Sequence, residues 1–490
     1  MNGPIRHLAA AIFAAFAVLI GAVTYLQVIQ GPTYRDDARN LRVVAGRAGA
    51  ERGTIITADG TLVASSAADP NDPQQFSRSY PEGAAYSHVV GYASIIFGST
   101  GLESSQSAAL VSDRDATISG VINAILGGDL RPQGLRLTLL DHVQQAALDG
   151  LGNQRGAVVA LDPATGAVLA MVSTPNFDPE SLLGVNAGPT GNALDSDEAE
   201  PLRNRAIDAT YPPGSTFKIV TAAAALEAGL AGGGTTFPDE EELELPGSTA
   251  TIRNYSGEVC ANGEMVTLTQ AFVSSCNTTF GALGMLVGAE RLVDTAEAFG
   301  FNQPVPFDLA ALASVIPGAD TFVNDLPGVA QSAIGQRDVQ ATPLQMALVG
   351  AAVANGGEIM EPYLVSQVFN SEGQIESEAE PVVWRRAVSP ATAAALEDLM
   401  QKAVAAGTGF RAQIEGVLIG GKTGTAEIPD GAPDVWFVGY GPIGADGDAQ
   451  QIAVAVVVED GGSNGLDGTG GGVAAPIARA VMQAFLEGPS

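Results

Sequence analysis

The side chains best suited to chemistry lie in the segment 211–218, which reads Tyr-Pro-Pro-Gly-Ser-Thr-Phe-Lys. Its prolines and glycine end a loop, so we expect a helix to begin at Ser215. A serine and a lysine three residues apart on a helix share one face. Burial disfavours the charged form of a lysine, and Lys218 is then able to accept the proton of the Ser215 hydroxyl. Taken alone, the pattern is more typical of a helix N-cap followed by a solvent-exposed lysine.

A second polar group consists of Ser275 and Asn277. Thr267 and Gln270 have the spacing of a capping box, which predicts a short helix that ends where the next one begins, near Thr278. A hydroxyl in such a break can relay a proton to a leaving amine, and an amide can hold a peptide backbone. An ordinary polar turn between two helices has the same composition.

A third group, Gly-Lys-Thr-Gly-Thr at 421–425, follows the apolar residues 417–419 and predicts a strand. Thr423 and Thr425 alternate along it and face one side, where their hydroxyls can hold a carboxylate. Gly424 lets another backbone approach closely, and Lys422 adds positive charge. A solvated strand end is the alternative.

Lysine is scarce in this chain, which has three lysines and 20 arginines. Arginine stays charged near neutral pH, whereas a desolvated lysine can act as a base. Two of the three, Lys218 and Lys422, lie close to serine or threonine. None of the three histidines lies in the last 348 residues, which argues against a Ser-His-Asp triad or an ordinary zinc site there. The net charge of −31 argues against a nucleic-acid partner.

An apolar run at residues 8–29 is long enough to cross a bilayer core of about 30 Å as a helix. Arg6 and His7 precede it, which favours an N-terminus inside the cell. We therefore expect an uncleaved, single-pass anchor in the plasma membrane, with the catalytic part on the extracytoplasmic side. A cleaved signal peptide is the alternative, but the length of the run argues against it.

Three parts are predicted: residues 1–30 as cytoplasmic tip and anchor, 31–152 as a mixed N-terminal pedestal, and 153–490 as the catalytic domain. The pedestal segment contains no catalytic group. In the catalytic domain the pattern predicts strands at 157–161, 167–172, 435–438 and 452–458 and helices at 216–230, 390–406 and 475–486. Strands at both ends with helices between them predict an α/β fold with one antiparallel sheet packed by helices.

In their order along the chain, Ser-x-x-Lys, Ser-x-Asn and Lys-Thr-Gly match the motif set of serine β-lactamases and penicillin-binding proteins. The chain resembles the class B penicillin-binding proteins, the monofunctional peptidoglycan D,D-transpeptidases, and is most similar to the actinobacterial PbpA type. The resemblance is strong over residues 150–490 and implies a penicillin-recognising domain on a pedestal, with no metal or organic cofactor. One departure is Arg337, which follows a Gly-Gln pair where many relatives have glycine. Further shared segments are 156–163, 342–346, 354–357 and 474–476, with weaker ones at 52–55 and 101–103.

For the first two motifs the resemblance implies catalytic roles. Ser215 attacks the carbonyl between two D-alanines of a stem peptide and forms an acyl-enzyme, with Lys218 as the base. Ser275 passes the proton to the departing D-alanine, and Asn277 orients Lys218 and the peptide. An amine of a neighbouring stem then takes the acyl group, which cross-links the cell wall during division and growth.

For the third motif the resemblance implies carboxylate binding. Lys422, Thr423 and Thr425 bind the terminal carboxylate of the stem; Lys422 also counts among the catalytic residues, and Gly424 among the substrate-binding ones. The backbone N–H groups of Ser215 and Thr425 form an oxyanion hole. β-Lactam antibiotics acylate Ser215 in the same way and act as inhibitors. A membrane glycan polymerase of the division or elongation machinery is an expected partner.

Three alternatives share parts of this pattern. A serine β-lactamase has the same motifs but needs a residue that activates water for deacylation. A D,D-carboxypeptidase passes the acyl group to water and not to an amine. A non-catalytic penicillin-sensing or scaffold protein keeps the fold without the reaction.

Cys260 and Cys276 are the only cysteines, and export of this region permits a disulfide between them. Two buried thiols are the alternative. A bridge would close a loop of about 15 residues and contribute about 3 kcal/mol in the chain-entropy model. It would also brace the segment that carries Ser275 and Asn277.

Overall fold

A computed structural model describes residues 2–26, 30, 49–111, 131–184, 186–255, 257–428, 431–444 and 450–489. The chain begins with an apolar helix, α1 (Asn2–Thr24). Its segment Arg6–Thr24 is the one helix among these residues that is long and apolar enough to cross a membrane, and that segment is not buried. The predicted apolar run extends to residue 29, and residues 27–29 lie outside the described part of the chain.

The described N-terminal region is built from short strands and helices. Its elements are β1 (Ile55–Ile56), β2 (Leu62–Asp69), β3 (Asp72–Ser79), α2 (Ser87–Val90), β4 (Ala93–Ser94), β5 (Gly98–Ser99), α3 (Gly101–Ser105), α4 (Ser107–Leu110), β6 (Gly134–Leu137) and α5 (Asp141–Leu151). A buried ion network lies at its centre, where Glu103 accepts hydrogen bonds from Arg52 and Arg78, each at 2.6 Å. This charged network ties β3 and α3 to the chain before β1.

The second region contains longer elements. They are β7 (Gly156–Leu161), β8 (Val168–Thr174), α6 (Gly188–Asp195), α7 (Lys218–Glu227), β9 (Thr236–Pro238), β10 (Glu242–Glu244), β11 (Thr251–Arg253), β12 (Met265–Thr267), α8 (Leu268–Ser274), α9 (Asn277–Val287), α10 (Ala289–Ala298), α11 (Leu326–Ser332), α12 (Pro343–Ala354), β13 (Glu358–Met360), β14 (Val365–Phe369), β15 (Ile375–Glu378), β16 (Val383–Arg386), α13 (Pro390–Ala406), β17 (Gly420–Ala426), β18 (Asp434–Gly441), β19 (Ile452–Val458) and α14 (Ala475–Glu487). The predicted capping box of α8 is confirmed, since Thr267 and Gln270 form it, and α13 is capped by Ser389, whose hydroxyl accepts from the N–H of Thr392.

An antiparallel sheet with the strand order β17-β18-β19-β7-β8 lies at the centre of this region. Every residue of β7, β8, β18 and β19 is buried, because helices cover both faces. Val158 and Ala160 belong to a core that includes α5 and α14, whereas Ala157 and Val159 belong to the core that includes α12. The predicted α/β architecture, a sheet from both ends of the domain packed by helices, is confirmed.

A second sheet, in the order β15-β14-β6-β1-β2-β3, joins the two regions. Its strands β1 and β6 are parallel, and its other neighbours are antiparallel. The hairpin β14–β15 follows β6 by more than 200 residues and pairs with it. The N-terminal sheet is therefore completed by strands that sequence reasoning assigned to the catalytic domain.

The helix predicted at 216–230 has different bounds and a different first turn. Residues Gly214–Phe217 form a 3₁₀ turn, and the α-helix α7 begins at Lys218 and ends at Glu227. The tighter turn arises because Thr216 bonds back to the Pro213 carbonyl through both its N–H (3.2 Å) and its hydroxyl (2.6 Å). The nucleophile candidate Ser215 thus lies in a turn before the helix and not on it.

Candidate active site

The turn that carries Ser215 is held against the central sheet. Trp436 on β18 donates from its indole N–H to the Pro212 carbonyl at 3.0 Å, and the N–H of Gly214 donates to the Gly335 carbonyl at 2.9 Å. A Cβ on Gly424 would lie 2.8 Å from the Pro213 carbonyl oxygen, so β17 approaches this turn at a distance that only glycine permits. Ser215 lines an open cleft of about 960 Å³.

Lys218 begins α7, and its side chain is fully buried. Its Nζ donates to the Ser275 carbonyl and to Oδ1 of Asn277, both at 2.7 Å, and lies 5.5 Å from the centre of the Phe280 ring. Burial lowers the pKa of Lys218 well below its ordinary value, and the positive charge of Lys422 lowers it further. A neutral lysine has two N–H donors and one lone pair. The two short hydrogen bonds occupy the donors and leave the lone pair free to take a proton.

Ser275 lies in the predicted break between α8 and α9. It caps α8 in a left-handed conformation (φ 62°), which non-glycine residues adopt at a cost of about 1 kcal/mol. Its Oγ accepts from Lys422 Nζ at 2.8 Å and lies 3.4 Å from Lys218 Nζ. The hydroxyl therefore lies between the two buried lysines, where a proton can pass from one to the other.

Asn277 begins α9 and faces the same cleft. While its Oδ1 accepts from Lys218, its Nδ2 donates to the Arg253 carbonyl at 2.9 Å. Its backbone N–H donates to Oδ1 of Asn254, also at 2.9 Å. The side chain is held at both ends, so the lysine it binds is positioned with it.

On β17, the side chains of Lys422 and of the two threonines point to opposite sides. Thr423 and Thr425 line the cleft, as predicted from the alternation of a strand. Lys422 is fully buried, and its Nζ donates to Ser275 Oγ and to the Thr423 carbonyl at 3.0 Å. Burial lowers the pKa of Lys422 to about 7. The Lys422 amine therefore points to the Ser275 hydroxyl, whereas the sequence placed its charge with the two threonines expected to bind the substrate carboxylate.

A disulfide joins Cys260 and Cys276, whose Cα atoms are 5.9 Å apart. Cys276 stands between Ser275 and Asn277, so the bridge fixes the backbone from which both side chains project. Asp239 holds the other end of the bridge, since its carboxylate accepts the N–H groups of Cys260, Ala261 and Gly263 at 2.7 to 2.9 Å. In the described part of the chain, Asp239, Cys260 and Cys276 form the only cluster with the composition of a metal site. The disulfide leaves neither cysteine as a thiolate that could bind an ion.

Sequence reasoning missed two residues that position the site. Asn254 accepts the N–H groups of Asn277 and Thr278, but nothing local distinguishes it from other loop asparagines. Thr408 bonds to Thr423 through their hydroxyls at 2.6 Å. A threonine between two glycines directly after α13 was a signal that could have identified it.

Arg337, the departure from the family pattern, adopts the left-handed conformation that favours glycine (φ 63°). Its guanidinium compensates by binding the carboxylate of Asp325 at 2.6 Å. Asp325 caps α11, so the loop keeps a glycine-like shape with an arginine in the cleft wall.

The described site residues converge from distant parts of the chain on one cleft. Ser215, Ser275, Asn277, Thr423 and Thr425 line it, and the buried amines of Lys218 and Lys422 reach the Ser275 hydroxyl from behind. This fold and this constellation define the class of penicillin-recognising serine acyltransferases.

Comparison with family models gives the particular family. Residues 156–483 match the penicillin binding protein transpeptidase domain, and residues 52–135 match the penicillin binding protein A dimerisation domain. The chain belongs to the class B penicillin-binding protein transpeptidases.

Several relatives match over nearly the whole chain. The chain is 40% identical to the peptidoglycan D,D-transpeptidase PbpA of Mycolicibacterium smegmatis, with 99% of both chains covered. It is 39% identical to PbpA of Mycobacterium tuberculosis, with 100% of both covered. The solved structure of penicillin-binding protein A from M. tuberculosis as a ceftriaxone acyl-enzyme complex superposes with a TM-score of 0.82 at 38% identity, covering 90% of this chain and 99% of that one.

Proposed function

We propose that this chain is a peptidoglycan D,D-transpeptidase and a target of β-lactam antibiotics, with Ser215 as its nucleophile. The observation that carries the proposal is the state of Lys218, a buried amine with a depressed pKa whose two donors are occupied. The relatives named as D,D-transpeptidases over their full length and the β-lactam acyl-enzyme complexes of the structural neighbour support the same reaction.

In the acylation step, the lone pair of Lys218 takes the hydroxyl proton of Ser215 as Oγ attacks the carbonyl carbon between two D-alanines. The backbone N–H groups of Ser215 and Thr425 are proposed to stabilise the oxyanion. As the C–N bond breaks, the Ser275 hydroxyl gives its proton to the leaving amine of D-alanine. It is reprotonated by Lys422 or by the newly charged Lys218, both within 3.4 Å of its oxygen.

The donor peptide is proposed to lie along β17. Among the described residues this strand is the edge of the central sheet and pairs only with β18, so an extended peptide can approach its other edge. Thr423 and Thr425 face the cleft on this strand and offer hydroxyls to the terminal carboxylate of the donor. Gly424 keeps the backbone close to the Ser215 turn.

In the second step, the amine of a neighbouring stem attacks the acyl carbon, the ester bond to Ser215 breaks, and the amine proton returns to the serine oxygen through Lys218. The product is a cross-link between two glycan strands. The matched family models describe a dimerisation domain and a transpeptidase domain, and neither makes glycan. We therefore propose that a membrane glycan polymerase supplies the glycan strands that this protein cross-links.

The apolar helix α1 and the penicillin-binding relatives indicate a membrane-anchored protein. We place the transpeptidase region on the extracytoplasmic side, because peptidoglycan is cross-linked outside the membrane. Arg6 at the start of the apolar segment favours this orientation.

Labelling with a fluorescent penicillin tests the nucleophile. The wild-type protein should retain the label, peptide mapping should place it on Ser215, and Ser215→Ala should remove it. Label retained in the alanine variant would show that another residue is acylated, and rapid release of the label from wild-type protein would favour a β-lactamase.

The acceptor is tested with a stem pentapeptide ending in D-Ala-D-Ala and an added amine, with products identified by mass spectrometry. Transfer to the amine is expected. Release of D-alanine with transfer to water alone would identify a D,D-carboxypeptidase.

A further inference from the structure

The substrate carboxylate needs a positively charged partner in the cleft, and Lys422 does not supply that partner. The Lys422 amine is buried, bonded to Ser275 and to the Thr423 carbonyl, and absent from the cleft wall. An anionic carboxylate that binds only to neutral hydroxyls, such as those of Thr423 and Thr425, loses solvation without gaining a charged partner. Another positively charged side chain on the wall would resolve this.

Three arginines line the cleft, although the chain carries a net charge of −31. Two of them are neutralised within the protein: Arg253 pairs with Glu242 at 2.9 Å, and Arg337 pairs with Asp325 at 2.6 Å. Arg411 differs. Among the residues that the structure describes, no carboxylate oxygen lies within 4.0 Å of its guanidinium nitrogens.

Arg411 is attached to the same wall as Thr423. It lies in a 3₁₀ turn, Phe410–Ala412, directly after the segment in which Thr408 bonds to the Thr423 hydroxyl. Its Nη1 is 3.4 Å from the Gly472 carbonyl. The neighbouring residue of that loop, Gly471, lies near Thr423, since a Cβ added to it would be 3.8 Å from the threonine methyl. In the described part of the chain no other hydrogen bond of the guanidinium is found; its centre lies 5.7 Å from the centre of the Phe410 ring, and Arg411 is solvent-exposed.

We propose that Arg411 is the cation that binds the C-terminal carboxylate of the donor peptide, together with the hydroxyls of Thr423 and Thr425. This inference rests on the proposed function, because it assigns the charged partner of that donor. A guanidinium fits the planar carboxylate through two parallel hydrogen bonds. Lys422 is then left to serve the proton relay at Ser275, and the two tasks are divided between two cations.

The test compares two ligands that differ in one charge, benzylpenicillin and its methyl ester. The second-order rate constant of acylation is measured for each with the full-length protein. For Arg411→Gln, we expect the constant for the acid to fall about tenfold, the effect of one charge-assisted hydrogen bond, and that for the ester to stay within about twofold. Arg411→Lys, which keeps the charge, should retain most of the acid rate.

Arg253→Gln is the matched control, since it removes the same charge from an arginine of the same cleft that is already neutralised. It should leave the acid-to-ester ratio unchanged. The inference is overturned if Arg411→Gln leaves this ratio at the wild-type value, lowers both constants equally, or lowers the ratio no more than the control does. The proposed function fails independently if neither ligand acylates Ser215 in the wild-type protein.

Discussion

Asn277→Asp offers a direct test of the claim that Lys218 is a neutral base. The substitution preserves the shape of the side chain and places a carboxylate oxygen where Oδ1 of Asn277 now lies, 2.7 Å from Lys218 Nζ. Two opposite charges at that distance attract by about 6 kcal/mol at an effective dielectric constant of about 20. Desolvation of the new carboxylate offsets part of this attraction. We expect the pKa of Lys218 to rise by about 1 to 3 units relative to the wild type.

The sign of the pH effect follows from the role of the amine. A lysine is neutral above its pKa, so acylation should increase as pH rises through the pKa of Lys218. In the wild type that limb lies well below the ordinary lysine pKa. In Asn277→Asp the limb should move to higher pH. At a fixed pH below both pKa values, the rate of the variant should be about tenfold lower than that of the wild type for each unit by which the pKa of Lys218 rises.

The assay is the second-order rate constant of penicillin acylation between pH 5 and 10, with thermal unfolding measured in parallel. Asn262→Asp, the same change on an exposed side chain, is the control and should leave the profile in place. A general loss of structure would lower the rate at every pH without moving the limb. If the variant is folded and its limb coincides with that of the wild type, then the charge of Lys218 does not control acylation and our reasoning is wrong.

Three further predictions concern stability. Replacing both Cys260 and Cys276 by serine should lower the free energy of unfolding by about 3 kcal/mol and slow acylation, measured by urea titration and penicillin kinetics; unchanged kinetics would show that the bridge does not position the site. Glu103→Gln leaves two buried arginines without an anion and should lower the free energy of unfolding by about 3 to 5 kcal/mol. Glu358→Gln breaks an exposed ion pair and should lower it by less than about 1 kcal/mol. Equal losses for the two variants in urea unfolding would contradict this difference. Burial raises the pKa of Asp434 to about 7 from 3.8, so the folded state binds the extra proton and stability should decline as pH rises from about 4 to above 7. Asp434→Asn should flatten that decline in thermal melts, and an identical slope in both proteins would refute the assignment.

Much of the candidate active site could be predicted because its groups are encoded locally. Ser215 and Lys218 lie within one turn, and Thr423 and Thr425 share a side because a strand alternates. The capping box of Thr267 and Gln270 fixes the end of α8, and therefore the break that contains Ser275. Each of these features depends on neighbours within a few residues, so the pattern of residue types is sufficient to locate it.

Other features depend on contacts between segments far apart in sequence. The direction of the Lys422 amine is set by Ser275, which comes from a helix end 147 residues earlier. Likewise, Asn254 is distinguished from other loop residues only by the helix it caps, and β14 is assigned to the N-terminal sheet only by its pairing with β6.

The sequence by itself predicted an apolar helix long enough to cross a membrane, the strands of the central sheet, the capping box of α8, and the candidate nucleophile, base and threonine pair. Those are properties of short windows, where periodicity and side-chain chemistry act directly on the backbone. Only the tertiary structure brought the Lys422 amine to the Ser275 hydroxyl and left Arg411, among the residues that it describes, without a carboxylate oxygen within 4.0 Å. A charge acquires its function from the groups that packing brings beside it, and packing joins residues whose separation along the chain carries no signal.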